Sequence, residues 1–137
     1  MSLFLPFKRA TLLVPSGPEH DPNRKHLFTL LTDPVDHEAE EKVVLMVSIS
    51  SVRPGIPYDS TCILCPGDHP FVQRESFVLY ARARIEETDK LLRGIKNGAL
   101  IGYDPMDSGV FARICRGVEE SQFTPMKILK FYQKTLS

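Results

Sequence analysis

Long apolar runs are missing from this chain. The longest, Val43 to Ile49, is strand-sized and bounded by polar residues, far short of the roughly 18 consecutive apolar residues of a membrane span. A membrane role is therefore unsupported. Nothing at the start resembles a secretory signal either, since the apolar run from Leu3 to Phe7 is short and broken by Pro6. Three cysteines cannot all pair within the chain, so reduced thiols in a cytoplasm are expected. An excess of one charge is also missing. Lys plus Arg and Asp plus Glu are 17 each, so no global field announces a nucleic-acid partner and any basic surface must be local. Balanced charge favours self-association or a partner over repulsion. No Gly-rich phosphate loop, nucleophile elbow or paired-carboxylate motif is present, which removes several large enzyme classes. Internal repeats and low-complexity segments are lacking as well.

What remains is ordinary globular composition, 42% hydrophobic and 25% charged over 137 residues, enough for one domain with its own core. Residues 1–137 read as that single domain, an α+β chain dominated by β structure. A small curved sheet or barrel over residues 8–85 precedes two or three short helices over residues 86–137. The first strand is Arg9 to Val14, followed by a proline-rich exposed loop, PSGPEHDP. Lys25 to Thr32 is the second, closed by Asp33-Pro34 and a solvated acidic run from Asp36 to Glu41. Lys42 to Ser50 is the strongest strand. Period-two alternation puts Val43, Leu45, Val47 and Ile49 on one face and Val44, Met46, Ser48 and Ser50 on the other, so the second face turns polar at its end. A turn on Pro54, Gly55 and Pro57 leads to a short strand, Thr61 to Cys65, ended by Pro66-Gly67-Asp68. Ser76 to Ile85 alternates as one strand, with Phe77, Leu79, Ala81, Ala83 and Ile85 inward and Val78, Tyr80, Arg82 and Arg84 outward. The helices begin at Thr88, near Asp107 or Ser108, and at Thr124-Pro125. Gly98 stops the first, and Val110, Phe111, Ile114, Cys115 and Val118 form the apolar stripe of the second.

Three places carry candidate chemistry. Cys62, Cys65 and His69 have the look of a metal knuckle. On a strand, however, residues 62 and 65 point to opposite faces and no second Cys pair completes a zinc site, so buried thiols and no metal are expected. His69, in the turn GDHPF, has the titration range of a general acid or base, and equally the chemistry to hydrogen-bond its own turn. Arg24, with Ser48 and Ser50, is the more informative set. If the second and third strands are neighbours, a guanidinium and two hydroxyls converge on one edge, a combination suited to a phosphodiester. Tyr80, Arg82 and Arg84 form an outward aromatic and basic stripe suited to single-stranded RNA.

The order of these segments resembles the PemK/MazF family of toxin endoribonucleases. ATLLVPSGP is similar to the family's first strand and its exit, RKHLFTLLTDP to its Arg-led second strand, VVLMVSISS to its strand ending in hydroxyls, and SFVLYARARIEETDKL to its later strand. The similarity spans Lys8 to Leu92. It implies an SH3-like barrel, usually a homodimer, that pairs with an antitoxin protein. It also implies cofactor-free and metal-independent cleavage of single-stranded RNA by the substrate's own ribose hydroxyl. The family's catalytic Arg falls on Arg24 and its Thr on Ser50. Arg24 would stabilise phosphate charge, Ser50 would position the phosphate or polarise the attacking hydroxyl, and His69 or His26 would move the proton. Lys25 replaces the family's Pro, Arg9-Ala10 its Gly-Asp, and Ala81-Arg82 its Asp-Gln. From a different class, a non-catalytic SH3-like module could use the same groove for RNA or a peptide.

Overall fold

The computed structural model describes residues 4–16, 24–37 and 41–136. Most of the proline-rich loop and the centre of the acidic run lie outside them. The long strand of the sequence is the spine: β4, Lys42–Ser51, with partners along both edges. β2 (Lys25–Leu30) and β3 (Val35–Asp36) run antiparallel along one edge. β6 (Ser76–Val78) and β7 (Arg84–Glu87) run along the other. β1 (Thr11–Pro15) pairs with β2, β8 (Ile101–Tyr103) with β1, and β5 (Ile63–Leu64) with β6. The resulting order is β5-β6-β4-β2-β1-β8, with β3 and β7 as further partners of β4.

The fold is thus α+β with a β-rich first part and helices mostly last, as the periodicities imply, and the sheet stays open rather than closing into a barrel. The reason is that the chain returns to the sheet after its first helix. β8, inside the region expected to be helical, adds to β1, so the sheet ends at β8 and β5 and these two do not meet. The β5 side is closed by a side chain instead: the guanidinium of Arg113 donates to the Ile63 carbonyl at 3.0 Å.

β4 is buried on both faces, which explains its near-continuous apolar sequence. One face, with Leu45, Val47 and Ile49, shares a core with Val78, Tyr80, Ile114, Val118 and Ile128. That core lies beneath α2 (Ser108–Glu120) and α3 (Met126–Thr135). The opposite face, with Val44 and Met46, packs with Leu12, Phe28, Leu30 and Leu91, the last from α1 (Thr88–Lys96). α1 is only nine residues long, about 14 Å at the rise of a helix, and ten-residue β4 outruns it. Asp107 caps α2 by accepting from the Gly109 and Val110 N–H groups, whereas α1 begins after Glu87 rather than at a Thr88 cap.

The segment 76–85 departs from its predicted alternation. The register pairs Val78 with Ile49 and Phe77 with Ser50, so Val78 joins the α2/α3 core and Phe77 shares the polar face of Ser50. A 3-10 turn over Tyr80–Arg82 then resets the phase. Arg84 pairs with Met46 and Ile85 with Leu45, on the faces the sequence assigned them. A one-residue phase change moves every side chain across the sheet, and periodicity alone does not reveal the turn that causes it.

Candidate nucleic-acid interface

Beyond Met46 the α1 face of β4 presents Ser48 and Ser50. Because Phe28 pairs with Ser48 and Val14 with His26, the same face carries His26 and Phe28 from β2 and Leu12 and Val14 from β1. Ser16 follows Val14 two residues on. Two clefts open here. One, of about 530 Å³, is lined by Ser16, His26, Phe28, Ser48, Ser50, Leu79, Arg82 and Arg84. The other, of about 420 Å³, is lined by Arg24, Lys25, His26, Ser50, Ser51 and Arg53 together with the apolar and aromatic Ile49, Ile56, Pro57, Tyr58, Phe71 and Phe77. His26 and Ser50 line both. A protein with no net charge thereby gathers Arg24, Lys25, Arg53, Arg82 and Arg84 around one surface, a local basic patch of the kind that engages phosphates.

The imidazole of His26 is the chemically distinctive group. Its Nδ1 lies 2.7 Å from Ser16 Oγ, and Ser16 Oγ donates to the Val14 carbonyl at 3.1 Å. With its one proton so placed, the hydroxyl accepts from Nδ1–H, which leaves the Nε2 lone pair as the acceptor. Partial burial, then the charges of Arg24 and Arg53, hold the His26 pKa below the usual imidazole value. The ring is therefore neutral at neutral pH, as a proton acceptor must be. Arg84 is anchored differently: its guanidinium carbon stands 4.7 Å from the centre of the Phe28 ring. Its Nε is buried and has no hydrogen-bond partner among the described residues, and the Glu86 carboxylate is 3.9 Å away.

Of the sequence-predicted residues, Arg24, Ser48, Ser50, Arg82 and Arg84 therefore line two adjoining clefts. Two others do not. Tyr80 is fully buried and its hydroxyl donates to the Ile114 carbonyl at 2.6 Å, so it offers no ring to a nucleic acid. The phase set by β6 pairing turns it into the α2/α3 core. His69 is 2% exposed. Its Nδ1 accepts from the Phe71 N–H at 3.1 Å, so its Nε2 donates to the Asp104 carbonyl, 2.7 Å away. With both nitrogens engaged, the ring ties the 65–72 turns to the end of β8 and stands apart from the clefts. Cys62 is buried, as expected, whereas Cys65 is exposed, because it lies past the end of β5, where its N–H donates to the Asp68 carboxylate.

Sequence reasoning missed Ser16, Arg53, Tyr58 and Phe77. Ser16 and Arg53 carried a signal, each lying just past a strand on the polar end of the sheet. Tyr58 did not, because a loop has no periodicity to read. The chain matches no family model, no curated protein and no solved structure.

Proposed function

We propose that this protein is a metal-independent endoribonuclease of the toxin–antitoxin type that cuts single-stranded RNA. The observation that carries the reading is His26, a neutral imidazole oriented by Ser16 and lining the same clefts as Ser50, Arg24 and Arg53. His26 Nε2 takes the proton of a ribose 2′-hydroxyl as that oxygen attacks the adjacent phosphorus. The 5′-oxygen leaves and takes a proton from water at the open side of the cleft, giving a cyclic phosphate and a 5′-hydroxyl. Arg24 stabilises the charge that grows on the phosphoryl oxygens, and Ser50 hydrogen-bonds one of them. Arg82, Arg84 and Ser48 hold the flanking strand. His26 replaces His69 in the proton-moving role.

The backbone at Arg9 also supports the family reading. Arg9 has φ +78°, a conformation natural to glycine, at the position where the family carries glycine. Its N–H donates to Leu30 and its Nε to the Met106 carbonyl, which holds the turn in place. The same reading gives the protein a second copy of itself and an antitoxin protein as partners.

Long single-stranded RNA incubated with the protein in EDTA should yield discrete fragments with 5′-hydroxyl and cyclic-phosphate ends. Arg24→Ala should lower the rate by about 10²-fold or more, the scale of a lost charge-stabilising donor. Ser50→Ala should lose less, because a neutral hydroxyl contributes less than a charged donor. Salt-sensitive binding of RNA that stays intact at high enzyme concentration would replace the nuclease by a non-catalytic binding module.

A further inference from the structure

The lining of the 420 Å³ cleft includes apolar and aromatic side chains whose chemistry phosphate binding does not use. Lining the same cleft as Arg24 and Arg53 is Tyr58, its ring centroid 5.4 Å from that of Phe77 and tilted by 35°. Tyr58 is 40% exposed and its neighbour Ile56 59%, so an aromatic face and an aliphatic side chain meet solvent where the cleft is open. The loop that carries them is clamped at the next residue. Asp59 is only 9% exposed, and its carboxylate accepts from Ser121 Oγ at 2.6 Å and from the Thr61 N–H and hydroxyl at 3.0 and 2.5 Å. At the loop's other end, the Ile56 N–H donates to the Arg53 carbonyl at 3.2 Å across a turn with Gly55 at φ +75°. One short, doubly fixed segment thus presents a cation and, five residues on, an aromatic ring to a single cavity. Ordering costs that a flexible loop would incur on binding are already met.

An anion beside a flat π surface describes a nucleotide. An apolar peptide side chain would use Tyr58 but gain nothing from Arg24 and Arg53, and a free phosphate would use the arginines but not the ring. A base paired in a duplex has no free face to offer. We infer that Tyr58, backed by Phe77, is a stacking platform for one unpaired nucleobase of the RNA strand, whose phosphate lies against Arg24 and Arg53. The inference rests on the proposed RNA reading and assigns that site a base-recognising half.

The test uses a fluorescent 2′-O-methyl oligoribonucleotide, which lacks the attacking hydroxyl and stays intact, and an abasic strand of equal length, both titrated in EDTA at low salt. The protein should bind the base-bearing strand more tightly. Tyr58→Ala should weaken that binding roughly tenfold, the scale of one lost base–aromatic stack, and leave the abasic strand unaffected. Tyr58→Phe, which keeps the ring, should restore it, and Arg53→Ala should weaken both strands alike. Tyr58→Leu keeps apolar bulk without a π face and should behave as Tyr58→Ala, which guards against a folding defect in the smaller variant. Equal binding of the base-bearing strand by the parent protein and Tyr58→Ala overturns the platform and leaves the nuclease reading standing. Failure of the parent protein to bind either strand removes the RNA reading and the platform with it.

Discussion

His26 and Arg24 stand two residues apart in the sequence, and beyond the proposed catalytic roles their relation is electrostatic. A guanidinium beside an imidazole disfavours the imidazolium, so Arg24 contributes to the low His26 pKa after burial, with Arg53 next. If His26 is the base, activity requires its neutral form. The rate should be flat near neutral pH and fall as pH drops through an inflection below the ordinary imidazole value of about 6.5. Arg24→Ala removes one of the depressing charges, so its residual activity should show that inflection at higher pH. A pH–rate profile of kcat/KM on both proteins checks this, and an inflection unmoved by the substitution would separate His26 from the Arg24 field. Ser16→Ala removes the partner of Nδ1 and should lower the rate while leaving RNA affinity unchanged, since Ser16 orients the ring rather than holding the strand.

At the scale of the element, β4 shows how one strand serves two purposes. Its α2/α3 face is apolar to Ile49, while its other face packs with Leu91 of α1 at Val44 and Met46 and changes to serine at residue 48, with Ser48 still buried and Ser50 half-buried. α2 is positioned by an equally local device. Tyr80 is fully buried against the helix, and a Cβ on Gly117 would overlap the Tyr80 hydroxyl and ring. Glycine here serves a close approach between helix and tyrosine. Gly117→Ala should destabilise the protein by about 2 kcal/mol, the overpacking cost less the gain in helix propensity. Tyr80→Phe, which removes the nearest clashing atom, should make the double substitution less harmful than the two single ones added together. Denaturant unfolding of the four proteins measures the coupling, and strict additivity would mean that the helix shifts freely.

For the whole molecule, the decisive link joins the cleft loop to the corner between α2 and α3. Asp59 accepts from Ser121 at that corner and from Thr61 in its own segment. Burial pushes its carboxyl pKa up, but these hydrogen bonds outweigh burial and hold it below the usual value. A carboxyl whose folded pKa is depressed adds stability that is complete above its unfolded pKa of about 3.9 and is lost as pH falls through the folded value. Asp59→Asn should therefore be less stable than the parent by about 1.5–3 kcal/mol at neutral pH, the range for hydrogen bonds to a charged group. The gap should hold down to about pH 5 and shrink below about pH 4. Urea unfolding at several pH values checks it, and a gap independent of pH would assign the loss to packing alone.

Much of this architecture was legible in the sequence because it is local. The two faces of β4, the polar turn at Ser48 and Ser50, the Asp107 cap, the stop at Gly98 and the apolar stripe of α2 follow from backbone geometry and side-chain period acting over a few residues. The convergence of Arg24 with Ser50 was legible as a condition, and the antiparallel pairing of β2 with β4 met it. Pairing partners and their register decided the rest. The register of β6 on β4, followed by the 3-10 turn, sent Tyr80 into the core and brought Phe77 to the cleft. The return of β8 to β1 left the sheet open and gave His69 the Asp104 carbonyl as a partner. The clamp at Ser121 holds the loop whose Tyr58 lines the same cleft as Arg24. Each of these contacts joins residues through a register, a backbone group or a side chain of another element, and sequence periodicity encodes none of them.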